Sequence, residues 1–205
     1  MKDMMCTIKI GAVAMSKPLF LFVGKSASGK TTIANLLEEK YCFNQVQSYT
    51  TRQPRYDGET GHIFLTEDEF NDLEDIVSYT FYNGNQYGTT ASLLDQNDIF
   101  VVDVPGVESL LQKYNTNRPI CIIYFDTTVA TRIRRMVNRN DSDMAIISRL
   151  LQDEENDWFK QLDRLVWQYG HVMNRNVELH CANANGNQTE VFNLVLYYMN
   201  LCMED

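Results

Sequence analysis

Gly24-Lys25-Ser26-Ala27-Ser28-Gly29-Lys30-Thr31 fits G-x-x-x-x-G-K-[ST], the pattern of a phosphate-binding loop. Leu19-Phe20-Leu21-Phe22-Val23 precedes it, a short all-apolar run that reads as a buried parallel strand. Thr32 to Lys40 follows, with apolar residues at 33, 36 and 37, the spacing of one helix face. Glycines let such a loop wrap a phosphate while backbone N–H groups and the positive helix end point at the anion. Gly24, Ser26, Ala27, Ser28, Gly29, Lys30, Thr31 and Thr32 are therefore candidates for holding ATP. Lys30 would reach the β- and γ-phosphates, and the Thr31 hydroxyl would ligate Mg²⁺. Chance would produce the pattern in on the order of one chain in a hundred of this length. The strand before it and the helix after it make chance rarer, and the stretch points to nucleoside triphosphate binding.

Outward from this loop, apolar strand candidates recur at 99–104, 120–125 and 177–181. Helical patterns lie at 31–40, 106–114, 128–138, 144–168 and 188–200. Alternation of this kind predicts an α/β fold, a parallel sheet flanked by helices, with ligands beyond the carboxyl ends of the strands. Asp103 falls near such an end. Residues 48–95 break the pattern, being polar and rich in Tyr, Thr, Gly and Asn. They read as an inserted β-rich substrate-binding subdomain within a single domain of 18–205, the core being 18–47 and 96–205. In it, Thr66 with Glu69 predicts a capped helix over 67–73. A polar stretch at about 137–145 joins two helical runs and reads as a lid. Residues 1–17 read as a loose leader, with Met15 an alternative start.

The net charge of −9 argues against a nucleic-acid or anionic-membrane partner. Against it stand local clusters: Arg52 with Arg55, and Arg132, Arg134, Arg135, Arg139 and Arg149. These suit small anionic ligands or solvated helix faces, and Arg132 and Arg134 read as ordinary face charges. The five cysteines are scattered without C-x-x-C, so reduced thiols are expected, with neither a disulfide framework nor a zinc site. A cytoplasmic protein with no membrane span fits, as monomer or homodimer.

Ser48-Tyr49-Thr50-Thr51-Arg52-Gln53-Pro54-Arg55, followed by Gly58-Glu59, is similar to the S-x-T-T-R-x-P-R-x-G-E of the guanylate kinase family. Gly84-Asn85-Gln86-Tyr87-Gly88-Thr89 resembles G-x-x-Y-G-[ST], and Asp103-Val104-Pro105-Gly106 resembles D-x-x-G. The resemblance runs from about Pro18 to Asn200. It implies a nucleoside monophosphate kinase using ATP and Mg²⁺, with GMP or dGMP as acceptor. It also implies that Ser48, Arg52, Arg55 and Tyr87 hold the acceptor phosphate, and that Thr89 and Asp103 read the base. Lys30, Arg135, Arg139 and Arg149 would be catalytic. Arginine forks suit phosphate oxygens, and phosphoryl transfer needs positioning and charge neutralisation rather than a general base.

Three positions depart from the family pattern. His62 stands where a tyrosine is usual, Ser78 where a guanine-reading glutamate is usual, and Val101 where the first of two aspartates is usual. A hydroxyl in place of a carboxylate loosens the reading of guanine's N–H donors. Gly61-His62-Ile63 with the missing glutamate also resembles ribose 1,5-bisphosphate phosphokinases, which share the fold. Non-catalytic guanylate-kinase-like modules remain a third reading, against which the intact Lys30-Thr31 stands.

Overall fold

Leu19, Leu21 and Val23 turn to one side of the first strand and Phe20 and Phe22 to the other, and all five are completely buried. A strand apolar on both faces needs helices above and below it. The computed structural model, which describes residues 17–54, 57–154, 157–173 and 175–204, builds that arrangement. The predicted leader up to residue 16, and Arg55, lie outside the described residues.

In chain order come β1 (Leu19–Val23), α1 (Lys30–Tyr41), β2 (Ser48–Thr50), β3 (His62–Phe64), α2 (Glu67–Asn71), β4 (Ile76–Tyr82) and β5 (Asn85–Thr90). Then come α3 (Ala91–Gln96), β6 (Ile99–Val101), α4 (Val104–Lys113), β7 (Ile120–Asp126), α5 (Val129–Asn138), α6 (Asp143–Glu154) and α7 (Trp158–Val166). A π-helical turn (Trp167–Val172), β8 (Val177–Asn183) and α8 (Gln188–Glu204) complete the chain.

Strands β6-β1-β7-β8 form one sheet in that order, every pairing parallel. One face packs against α4 and α7 through Val107, Leu110, Leu162 and Leu165. The other packs against α1 and α8 through Ile33, Leu37, Val195 and Met199. The carboxyl ends of β1, β6 and β7 therefore open on one edge, where the loop of residues 24–31 sits. A second sheet, β3-β2-β5-β4, holds residues 48–90. Its β4 lies on α4, where Ser78 donates to the Gly106 carbonyl (2.9 Å) and Ser109 to the Val77 carbonyl (3.3 Å). The capped helix in this region forms as its sequence predicts: Thr66 accepts from the Glu69 N–H, and Glu69 accepts from the Thr66 N–H.

Three expectations change. The strand predicted over 99–104 stops at Val101, because Asp103 accepts the Gly106 N–H (2.9 Å) and starts α4. The helix predicted over 144–168 is two helices: Asp157 accepts the Lys160 N–H (3.2 Å) and opens α7 afresh. The expectation of reduced thiols is overturned for one pair. Cys121 of β7 and Cys202 of α8 are disulfide-bonded, with Cα atoms 6.5 Å apart, although 81 residues separate them in sequence. Parallel pairing and helix packing bring them together, which no local spacing foretells. Among the described residues no helix is long and apolar enough to cross a membrane.

Candidate active site

Gly24 leaves β1 with φ 156°, where a Cβ would meet the Phe125 carbonyl and the Ser28 hydroxyl, each at 2.9 Å. Only glycine lets the loop lie this close to the end of β7. The loop then turns through Ala27 at φ 61° and enters α1 at Gly29. Gly29 brings no side-chain acceptor to the helix start, and the first turn of α1 holds no acidic residue. The N–H groups of that turn are thus left for an anion.

Lys30 folds back over the loop and donates to the Gly24 and Lys25 carbonyls, the latter at 3.0 Å, and to the Ser28 hydroxyl at 3.3 Å. Desolvation brings its pKa down to about 8, against the opposing pull of Asp153 and Asp103. Beneath the loop, Arg132 is fully buried. It donates to the Ser26 carbonyl (2.9 Å) and pairs with Asp153, whose Oδ2 also accepts the Ser26 N–H (2.8 Å). Arg135 reaches the loop from the same helix, donating to the Ser28 carbonyl (2.8 Å) and to the Ala184 carbonyl (2.7 Å).

Two clefts meet at Lys30. One is lined by Ala27 to Ile33 together with Arg134, Arg135 and Asn138 of α5 and Arg139 just after it. The other lies between the two sheets, lined among others by Ser48, His62, Ser78, Tyr87 and Asp103. In this second cleft the Ser48 hydroxyl and His62 Nδ1 are 2.9 Å apart, and the His62 ring packs edge-on to Tyr87. Burial raises the Asp103 carboxyl above its usual range, opposed by the Gly106 N–H, the Thr80 hydroxyl and Lys30. Ser78 lines the cleft, but its proton goes to Gly106.

Other predicted residues are placed differently. Arg52 makes a two-pronged pair with Glu59 (2.9 and 3.1 Å) over the Phe64 ring. Thr89 is wholly buried with its hydroxyl unpaired, and it does not line either cleft. Arg139 and Arg149 converge on Asp141 in the short connection between α5 and α6, the predicted lid. Thr31 and Thr32 are exposed at the first turn of α1, on the α5 side.

Sequence reasoning passes over Thr80, Tyr82 and Asp153, which line the cleft between the sheets, and it misreads Arg132 as a face charge. A signal for Arg132 exists: it shares a helix face with the buried Met136, four residues on.

A parallel sheet, a lysine-bearing phosphate loop at its edge and two clefts joined at that lysine define a nucleotide kinase of the P-loop class. The chain is 30% identical over 165 residues to the guanylate kinase of Oleidesulfovibrio alaskensis, covering 75% of this chain and 77% of that one. It is 27% identical over 177 residues to that of Fusobacterium nucleatum, covering 80% and 91%. The chain belongs to the guanylate kinase family. The crystal structure of guanylate kinase from Anaplasma phagocytophilum shares the fold, with a TM-score of 0.52 at 15% identity over 93% of this chain and 88% of that one. No protein-family model matches the chain.

Proposed function

We propose that the chain transfers the γ-phosphoryl group of ATP to a nucleoside monophosphate, with GMP and dGMP the favoured acceptors. The observation that carries this reading is that Lys30 lines both clefts. A donor phosphate on the loop and an acceptor phosphate between the sheets would meet at one ammonium group. In-line transfer needs that approach and little covalent chemistry.

On the donor side, the N–H groups entering α1 and the guanidinium group of Arg135 would face the ATP phosphates, joined by Arg139 once it leaves Asp141. The uncapped start of α1 fits a triphosphate, and the exposed Thr31 hydroxyl fits a magnesium ligand. Magnesium bound to the phosphates would supply neutralising charge there. On the acceptor side, Ser48, His62 and Tyr87 are grouped at one end of the cleft and suit a monophosphate. Arg52 and Arg55 belong to the same acceptor set, with Arg52 exchanging its Glu59 partner for phosphate. Asp103, held by Thr80 and Gly106, is the carboxylate acceptor for the N–H edge of a guanine, and Ser78, whose proton is committed to the Gly106 carbonyl, offers only an uncharged acceptor beside it. Arg139 and Arg149 would leave Asp141 for the transferring group as the lid closes and excludes water.

A coupled ADP-release assay with ATP and Mg²⁺ tests this across GMP, dGMP, AMP, CMP, UMP, dTMP and ribose 1,5-bisphosphate. Activity on GMP and dGMP at least tenfold above the other nucleotides is the expected result. Preference for ribose 1,5-bisphosphate would replace the reading with the sugar-phosphate kinase. ATP binding with no transfer to any acceptor would overturn it in favour of a binding module.

A further inference from the structure

On the face of the main sheet away from the cleft between the sheets, four donor side chains converge from three elements. Cys121 of β7 and Glu178 of β8 are register partners, and His180 follows two residues on along β8, on the same face. Cys202 descends onto them from α8. The Cys121, His180 and Cys202 donor atoms all lie within 4.8 Å of one another. His180 Nε2 is 3.3 Å from Cys202 Sγ and 3.3 Å from Glu178 Oε2, and that Oε2 is 3.6 Å from Cys202 Sγ.

These separations have a chemical meaning. Zinc bonds of about 2.0–2.3 Å to N, O and S at tetrahedral angles give ligand–ligand edges of about 3.3–3.8 Å. The two edges at His180 Nε2 and the edge between Glu178 Oε2 and Cys202 Sγ fall at that spacing. A neutral imidazole nitrogen carries at most one proton, yet sulfur and carboxylate crowd the same nitrogen. A cation central to the four would satisfy all of them at once. Two thiolates, an imidazole and a carboxylate are also the donor types zinc prefers. Cys121 and Cys202 are buried, whereas the His180 and Glu178 side chains keep 20% and 36% of their surface exposed, which leaves an entry path.

We propose that the reduced chain binds one Zn²⁺ through Cys121, Cys202, His180 and Glu178, and that the disulfide is the oxidised, metal-free form of the same site. A dithiol reductant delivers two electrons and two protons to the Cys121–Cys202 bond, becoming a disulfide itself and leaving two thiols. The sulfurs then part, and Zn²⁺ displaces both thiol protons to solvent. In either form the site ties α8 to β7 and β8. Because α8 and α1 share one buried cluster, the tie buttresses the helix that carries the phosphate loop. The site stands apart from both clefts, so it does not depend on the acceptor proposed above.

The test uses the full chain, reduced by a dithiol without oxygen, desalted, and titrated with Zn²⁺ against a chromophoric chelator, then with Co²⁺. One zinc per chain is expected, with thiolate-to-cobalt charge-transfer absorption and the strong visible bands of tetrahedral cobalt. Cys202→Ser and His180→Ala should each weaken zinc binding by about 100-fold or more. Cys42→Ser/Cys181→Ser should leave it unchanged. A cobalt spectrum without thiolate charge transfer overturns the proposal using the native chain alone, whatever the variants do. So does a reduced chain that takes up no zinc, or one whose zinc affinity matches that of Cys202→Ser.

Discussion

Arg132 and Asp153 form an ion pair lying wholly beneath the phosphate loop, and the same Asp153 oxygen that meets Arg132 accepts the loop's Ser26 N–H. The Arg132 and Asp153 side chains are 0% and 2% exposed, so neither charge has water to fall back on. Breaking such a pair from one side strands a buried charge, at a cost of about 3–5 kcal/mol. Asp153→Ala should therefore lower the urea midpoint sharply and weaken ATP binding as the loop shifts. Arg132→Met/Asp153→Leu removes both charges and should recover much of the stability without recovering ATP affinity. Equal destabilisation in the single and double variants would count against a charge-based role.

This pair marks where the sequence stops being legible. The phosphate loop reads directly because its strand, glycines and helix are contiguous, and the local physics is the whole argument. Thr66 with Glu69 reads for the same reason: a capping box is a four-residue device. The spacing to Met136 puts Arg132 on the buried face of α5, but that this face lies against a loop more than a hundred residues earlier is reported by no periodicity. Asp103 was legible as a polar group ending an apolar strand, but its service as the cap of α4 follows from where the backbone turns. Cys121 and Cys202 meet only through sheet order. The G-x-x-Y-G-[ST] resemblance implies that Thr89 reads the base, yet the β4–β5 pairing buries it opposite Ser78.

Gly106 sits in the first turn of α4 against β4, and a Cβ there would fall 2.5 Å from Val102 Cγ2, 2.9 Å from Asp103 Oδ1 and 3.1 Å from Ser78 Oγ. Alanine would gain roughly 1 kcal/mol in helix propensity. Overpacking costs about 1–3 kcal/mol and acts on the two cleft residues that hold Gly106 by hydrogen bonds. Gly106→Ala should raise the acceptor KM by about tenfold, the equivalent of 1.4 kcal/mol, while leaving the ATP KM within about twofold. Steady-state kinetics with each substrate varied in turn decides it. An effect on ATP alone would contradict the placement of the acceptor between the sheets.

Arg149 pairs with Asp141 while keeping 24% of its side chain exposed, and Arg139 on the same carboxylate keeps 49%. Solvent-exposed pairs of this kind contribute about 0–1 kcal/mol. Arg149→Met should then leave thermal unfolding nearly unchanged. If the arginine moves onto the transferring phosphoryl group, kcat should fall by about 100-fold or more, since such contacts are made mainly in the transition state. Unaltered kcat would confine Arg149 to its pairing with Asp141.

Lys30 has its pKa lowered from 10.5 to about 8, chiefly by desolvation. The unfolded chain keeps the ordinary value, so between about pH 8 and 10.5 the unfolded state holds a proton that the native state has shed. Unfolding free energy contributed by this group must rise with pH across that window. Below about pH 8 both states are protonated, and the native state carries a cost on the order of 3 kcal/mol. Lys30→Met should be more stable than the parent chain at pH 7, with the gap closing by about pH 10.5 as both are unfolded in urea. Bound triphosphate would recharge the lysine, so ATP binding near pH 8.5 should take up protons from buffer. Titration calorimetry in two buffers of different ionisation enthalpy reads that uptake, which Lys30→Met should abolish. A stability gap independent of pH, together with no proton uptake, would mean that Lys30 is charged throughout this range.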